Sequence, residues 1–302
     1  MSENIQLNPS EKILIPLDKV NQDVFNPKYH DSLRGILEDK KSKIVTKVRI
    51  EFLKGDFTPL DKLIFCAAIS EQRAGNEIFT IRRLWQKIGG SHTLTAEMKK
   101  KISDSVEKLI CTRVEVNMSD INKKCHYVDK AEVIFKDFLL PCKSIEVRVN
   151  GKVTDGAYKF WGVSPLMEVA ELKKQFAECP IALLDVPRLH NSDLVLKIKF
   201  YLLERVTAII GSHKKRKAHI TGKKQCGGFD FKRATKLQTT ILLDTLFEQC
   251  GLSDAPRNRK AEYRKIIAKI MNHFKAEKLI SDWHFEQADG QFRAVKFEPP
   301  KK

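Results

Sequence analysis

The stretch PRNRKAEYRKIIAKIMNHFKAEKLISDWHFEQADGQFRAVKF, residues 256–297, decides the fold. Tyr263, Ile266, Ile267, Ile270 and Phe274 recur at three- and four-residue spacing, which predicts an amphipathic helix from about Pro256 to Glu277. Leu279 and Ile280 lead into an extended run, Ser281–Gln287. Asp289-Gly290 is a two-residue hairpin turn, and Phe292–Phe297 returns as the partner strand. A long helix followed at once by a hairpin predicts a winged helix.

Upstream, Asp244 begins a short helix through Leu246, Phe247 and Cys250, stopped by Gly251. Asn191-Ser-Asp caps a helix of roughly Leu194–Ile210, closed by Gly211. The first half shows the same order. Thr58-Pro59-Leu60-Asp61 places an N-cap, a first-turn proline and a first-turn acid ahead of Leu63, Ile64, Ala67 and Ile69. A short strand, Glu77-Ile78-Phe79, precedes a second helix capped by Thr80 and closed by Gly89-Gly90. Thr95 caps a third, with Met98, Ile102, Val106, Leu109 and Ile110 inward. Thr112–Asn117 and an extended segment from Tyr127 to Leu140 read as its wing, and Ile145–Val153 as an added hairpin. Strand candidates at Lys12–Leu17 and Ile44–Phe52 lie in an N-terminal extension. The expected class is α+β, two tandem winged helices. Residues 1–56 form the extension, 57–178 the first domain and 179–302 the second, DNA-binding one.

Charge points to the partner. The net charge is +17, and residues 151–302 carry 29 Lys/Arg against 17 Asp/Glu, a balance of +12, while residues 1–150 carry 26 against 21, a balance of +5. An excess concentrated in one half is the footprint of a polyanion binder rather than a surface kept soluble. At 100° per residue, the stripe of the long helix faces inward and Arg257, Arg264, Lys265 and Lys269 face outward, with Lys260 on the flank and Glu262 nearer the core. This single-signed arc is the expected base reader, since a recognition helix lies in the major groove while its neighbours hold phosphates. Lys214, Lys215, Arg216, Lys217, Lys223, Lys224, Lys232, Arg233 and Lys236 supply nine cations against Asp230 alone between residues 211 and 243. Gly222 and Gly227-Gly228 make that segment read as a flexible loop that follows the DNA backbone or enters a minor groove. In the first domain Arg82, Arg83 and Lys87 are phosphate candidates. Lys100 and Lys101 share their face with Glu97, Asp104 and Glu107, so dimerisation is as plausible there as base reading.

Other classes find little support. No apolar run reaches the roughly 20 residues of a membrane span, and Met1-Ser-Glu-Asn-Ile5 lacks the cationic and apolar parts of a secretory signal, so a cytoplasmic location is expected. The seven cysteines are scattered, no pair has the spacing of a zinc or redox motif, and His213, His219 and Cys226 match no common zinc pattern. There is no Gly-x-x-x-x-Gly-Lys phosphate loop and no Gly-x-Ser-x-Gly, and Tyr263 sits on the apolar stripe, so neither a catalytic residue, a metal nor a cofactor is expected.

Ile181-Ala-Leu-Leu-Asp-Val-Pro187, Leu194–Arg205, the long basic helix and the Asp-Trp-His-Phe hairpin together resemble the replication initiators of bacterial plasmids and other mobile elements. Phe57–Ile64 and Ala74–Thr80 resemble the opening of the same domain pair. The resemblance implies tandem winged helices that bind repeated origin sites on double-stranded DNA, bend or melt them, and recruit the host helicase and primase. It also implies repression of their own gene as homodimers. A winged-helix transcriptional repressor is the alternative, and a protein using its basic face on RNA or an acidic partner is a third reading. An initiator fits better than a repressor because the two winged units occupy nearly the whole chain.

Overall fold

The computed structural model describes residues 12–17, 21, 24–25, 37–38, 47–51, 55–88, 93–117, 134–146, 148–153, 156–172, 175–189, 192–222 and 239–300, with the backbone alone in places, notably 212–222. The fold is mixed, with helices and several small antiparallel sheets. It divides into two compact units, residues 1–185 and 186–302.

The first unit is built on α1 (Pro59–Arg73). Thr58 caps it with a full capping box to Asp61, as its sequence requires. Leu63 through Ile69 are all buried, so this helix is surrounded rather than amphipathic. β1 (Lys12–Pro16) lies on it: the Leu14 amide donates to Ser70 Oγ at 2.7 Å, and the strand pairs antiparallel with β11 (Phe176–Pro180). Residues 12–16, read from sequence as an extension, are therefore part of the first core. Cys179, placed at the head of the second domain, pairs with Ile13 in the first unit.

β4 (Ile78–Thr80), α2 (Ile81–Lys87) and α3 (Ala96–Cys111) follow, with Thr80 and Thr95 as N-caps whose hydroxyls accept from Arg83 N and Met98 N. β5 (Arg113–Asn117) and β6 (Ile134–Phe138) form a hairpin, but it joins β2 (Leu37–Glu38) and β3 (Lys47–Glu51) in a separate sheet of order β2-β3-β5-β6. The strands that continue from β4 are instead β10 (Ala157–Phe160) and β7 (Cys142–Ile145), in the order β4-β10-β7. The expected wing at 112–140 thus lies in a different sheet from the short strand: β4 pairs with β10, and β6 stands at the end of the β2-β3-β5-β6 sheet. The added hairpin is β8 (Arg148–Val149) and β9 (Lys152–Val153), turned by Asn150 and Gly151 at φ 52° and 75°. α4 (Pro165–Leu172) closes the unit ahead of β11 and the short 3-10 turn Ile181–Leu184.

The second unit is simpler. α5 (Asp193–Gly222) begins after Ser192 and runs through Gly211, where the sequence suggests a stop. Gly211 has a helical rather than positive φ, and the residues after it include Ala, Lys and Arg, good helix formers. One interior glycine costs only about 1 kcal/mol. β12 (Thr240–Leu242), α6 (Leu243–Gln249) and α7 (Arg257–Ala276) lead to the hairpin β13 (Asp282–Ala288) and β14 (Gln291–Glu298), in the sheet order β12-β14-β13. Asp289 and Gly290, at φ 52° and 71°, make the turn, both left-handed as a type I′ turn demands. Ile198, Leu202, Leu203 and Val206 of α5, Leu246 of α6, Ile267, Ile270, Met271 and Phe274 of α7 and Val295 of β14 are wholly buried. Each large apolar side chain in that set contributes about 1.5–3 kcal/mol.

Candidate nucleic-acid interface

α7 starts at Pro256 without a side-chain cap and has no acidic residue in its first turn. Its core face is shifted from the sequence reading. Met271 is fully buried, while Tyr263 and Ile266 are only half-buried, Tyr263 leaning on Phe247 with ring centroids 6.3 Å apart. The shift turns the helix so that Arg257, Lys265 and Lys269 are exposed on one side and Arg264 moves to the flank beside the hairpin. Lys260 is half-buried with Nζ 5.9 Å from the Phe247 ring centre. Glu262, expected nearer the core, is exposed and pairs with Arg259, Oε2 to Nη1 at 3.0 Å. The outward arc is therefore net cationic but not single-signed. Among the described residues no carboxylate pairs with Arg257, Lys265 or Lys269.

The hairpin carries an aromatic row that the sequence reading did not use. Trp283 and Phe285 meet edge to face at 5.2 Å, and Phe285 and Phe292 at 5.5 Å. The row is tied to α7 at both ends. Trp283 Nε1 donates to Asn272 Oδ1 at 2.9 Å, and the Arg264 guanidinium lies over the Phe292 ring, 4.7 Å from its centre. Lys275 Nζ adds a 2.8 Å bond to Asp282, which with the Trp283 amide holds that carboxyl below its ordinary range. Aromatics at alternate positions of β13, Trp283 and Phe285, were the available signal.

The basic run begins inside a helix rather than a loop. The backbone of Lys214, Lys215, Arg216 and Lys217 is the last part of α5. Lys223, Lys224, Lys232, Arg233 and Lys236 lie outside the described residues, as do Cys226 and the side chains of His213 and His219.

In the first unit one phosphate candidate is lost. Lys87 is 5% exposed, and its Nζ sits 3.2 Å from Oε1 of Glu71, itself 2% exposed, and donates to the Lys12 carbonyl at 3.3 Å. Arg83 Nε bonds both Glu71 oxygens at 3.2 Å, and Asn76 Nδ2 completes the cage at 2.8 Å. A cation held this way is committed to the core, because separating it from its carboxylate would strand a buried charge. Arg82 and Lys100 are exposed. Lys101 pairs with Glu97 at 2.7 Å.

Among the described residues no group of three His, Cys, Asp or Glu side chains is placed to hold a metal, and no helix is long and apolar enough to cross a membrane. Burial pushes the Cys142 thiol up to about 12, which suits a packing residue rather than a nucleophile.

No family model matches this chain, and no curated protein matches it. Among solved structures, the crystal structure of domains 2 and 3 of RctB in its selenomethionine form is similar at a TM-score of 0.46 and 11% identity, over 89% of this chain and 91% of that one. A second crystal structure of RctB domains 2–3 gives 0.45 and 11%, over 88% and 91%.

Proposed function

We propose that this chain is a non-enzymatic, sequence-specific double-stranded DNA-binding protein, and that its second unit works as a winged helix. In this reading α7 enters the major groove and the β13–β14 hairpin is the wing. The observation that carries it is the exposed trio Arg257, Lys265 and Lys269 on one side of a 20-residue helix whose flank is braced by a hairpin. Lys265 and Lys269 suit phosphates, while the planar fork of an arginine suits the O6 and N7 of guanine.

The biological role we propose is initiation of plasmid or mobile-element replication at repeated origin sites, by handing locally opened DNA to the host helicase and primase. Two features support it. The sequence resembles such initiators, and each unit runs helix, short strand, helix, helix, with the short strand paired antiparallel to a later strand, β4 to β10 in the first and β12 to the wing strand β14 in the second. The first unit, in which Arg83, Lys87 and Lys108 are held by buried acids, suits dimerisation.

The test is a titration of the full chain with fluorescent duplex DNA across a salt series. If six or more phosphates are engaged, affinity falls roughly 10³-fold or more between about 50 and 200 mM salt. A flat response refutes the reading. A plasmid depending on this gene and its flanking repeats should then fail to replicate when Arg257, Lys265 and Lys269 are all alanine.

A further inference from the structure

From the seat of Arg264 on the hairpin we infer that Phe292 is a specificity-determining positioning residue, which fixes the plane of the Arg264 guanidinium so that the fork meets a base edge. This rests on the DNA-reading role proposed for α7.

The argument begins with strand register. Trp283, Phe285 and Gln287 alternate onto the hairpin face that looks at α7. Phe285 pairs with Val295 and Glu286 with Ala294, but Gln287 pairs with Phe292, so Arg293 is an extra residue without a partner. In a regular ladder Gln287 would oppose Arg293, and a second cation would face Arg264. The bulge removes Arg293 from that place and puts the Phe292 ring there instead. Bulges commonly serve to re-aim a side chain in this way.

The ring then does what a carboxylate could not. A guanidinium has its five N–H groups in its own plane, so a ring across its face takes none of them. An ion pair would take up N–H donors, as Glu71 takes the Nε–H of Arg83. Phe292 lies under the guanidinium carbon of Arg264, restricts its rotamers before DNA arrives and, having no carboxylate to grip the prongs, leaves them for a guanine. The ring is 39% exposed, so it stands at the surface where DNA would lie rather than in the core. Its other neighbour, Phe285, meets it edge to face and keeps it from turning.

The experiment uses the full-length protein and two duplexes, one selected from a random library by the wild type and one scrambled. Arg264→Ala should relax the selected sequence at one position. Phe292→Leu should lower the preference for the selected duplex by roughly three- to thirtyfold, the span of a lost cation–π contact, and leave the scrambled duplex alone. Phe292→Tyr, which keeps the planar face, should restore it, and Phe292→Leu should add nothing in an Arg264→Ala background. Equal weakening on both duplexes, or an undiminished effect in that background, overturns the inference, since Phe292 would then touch DNA itself. A base preference that survives Arg264→Ala overturns the assignment of reading to this arginine and the inference with it. A preference lost in Arg264→Ala but kept in Phe292→Leu overturns the inference alone.

Discussion

In the first unit, Arg83 and Lys87 of α2 converge on the buried carboxylate of Glu71, and Lys108 of α3 reaches the equally buried Asp61 at 2.9 Å. In the second, Arg257, Lys265 and Lys269 of α7 stand at the surface with no carboxylate partner among the described residues. Two regions with similar helices and similar cation counts thus use charge in opposite ways. In one the cations neutralise acids inside the fold. In the other they stand exposed, with no acid of the described fold beside them. Cation density along a sequence therefore does not identify a binding surface, because the position of the nearest acid in space decides it.

The sharpest way to break this contrast is to remove the internal acid. Glu71→Gln takes away the buried partner of Lys87 while keeping the shape, and should destabilise the first unit by about 3 kcal/mol, read from urea denaturation of the full chain. DNA affinity, measured where the protein is still folded, should not change. A loss well under 1 kcal/mol would mean that Lys87 reaches water easily and belongs with the exposed cations after all.

The converse experiment is Lys269→Ala. It should leave the melting temperature alone, as changes on an open surface usually do, and lower the slope of log affinity against log salt by about one on every duplex tested. A fall in stability without a change in slope would erase the distinction between the two helices.

How far this contrast was legible in the sequence depends on the range of the interactions involved. The caps at Thr58, Thr80 and Thr95, the turn at Asp289-Gly290 and the stripe of α7 were readable because each is fixed within a few residues. The pairing of β1 with β11 joins Lys12 to Pro180, and that of β3 with β5 joins Glu51 to Arg113, and no local pattern announces either. β10 went unread for a similar reason, since it gains its place from β4, far back in the chain. Lys87 carried a local warning, lying three residues after Leu84 and one before Ile88, both buried. What hid its role was Glu71, sixteen residues earlier on another helix. The cationic face of α7 was legible in outline, but its rotation was not, because the fully buried Met271 outweighs Ile266 and swings Arg264 to the hairpin.

The smallest effect sharpens the comparison most, because it asks each helix about one exposed acid. Glu262 on α7 and Glu97 on α3 are both exposed, and each pairs with a neighbour on its own helix, Arg259 at 3.0 Å and Lys101 at 2.7 Å. The Lys101 bond holds the Glu97 carboxyl below its ordinary range, so it is ionised at neutral pH and Glu97→Gln removes a real charge. If only α7 meets DNA, Glu262→Gln removes a charge that repels nearby phosphates and releases Arg259 toward them. Between groups a few ångströms apart in water such a term amounts to about 1 kcal/mol or less, so affinity should rise roughly two- to fivefold at low salt, with the gain fading as the Debye length shortens. Glu97→Gln, tested on the same duplex at the same salt, should leave affinity where it was. Both proteins should retain wild-type helical circular dichroism, so that a change in binding is not a change in folding. Equal gains from the two substitutions would place α3 as close to the phosphates as α7, and both units would then lie on the DNA.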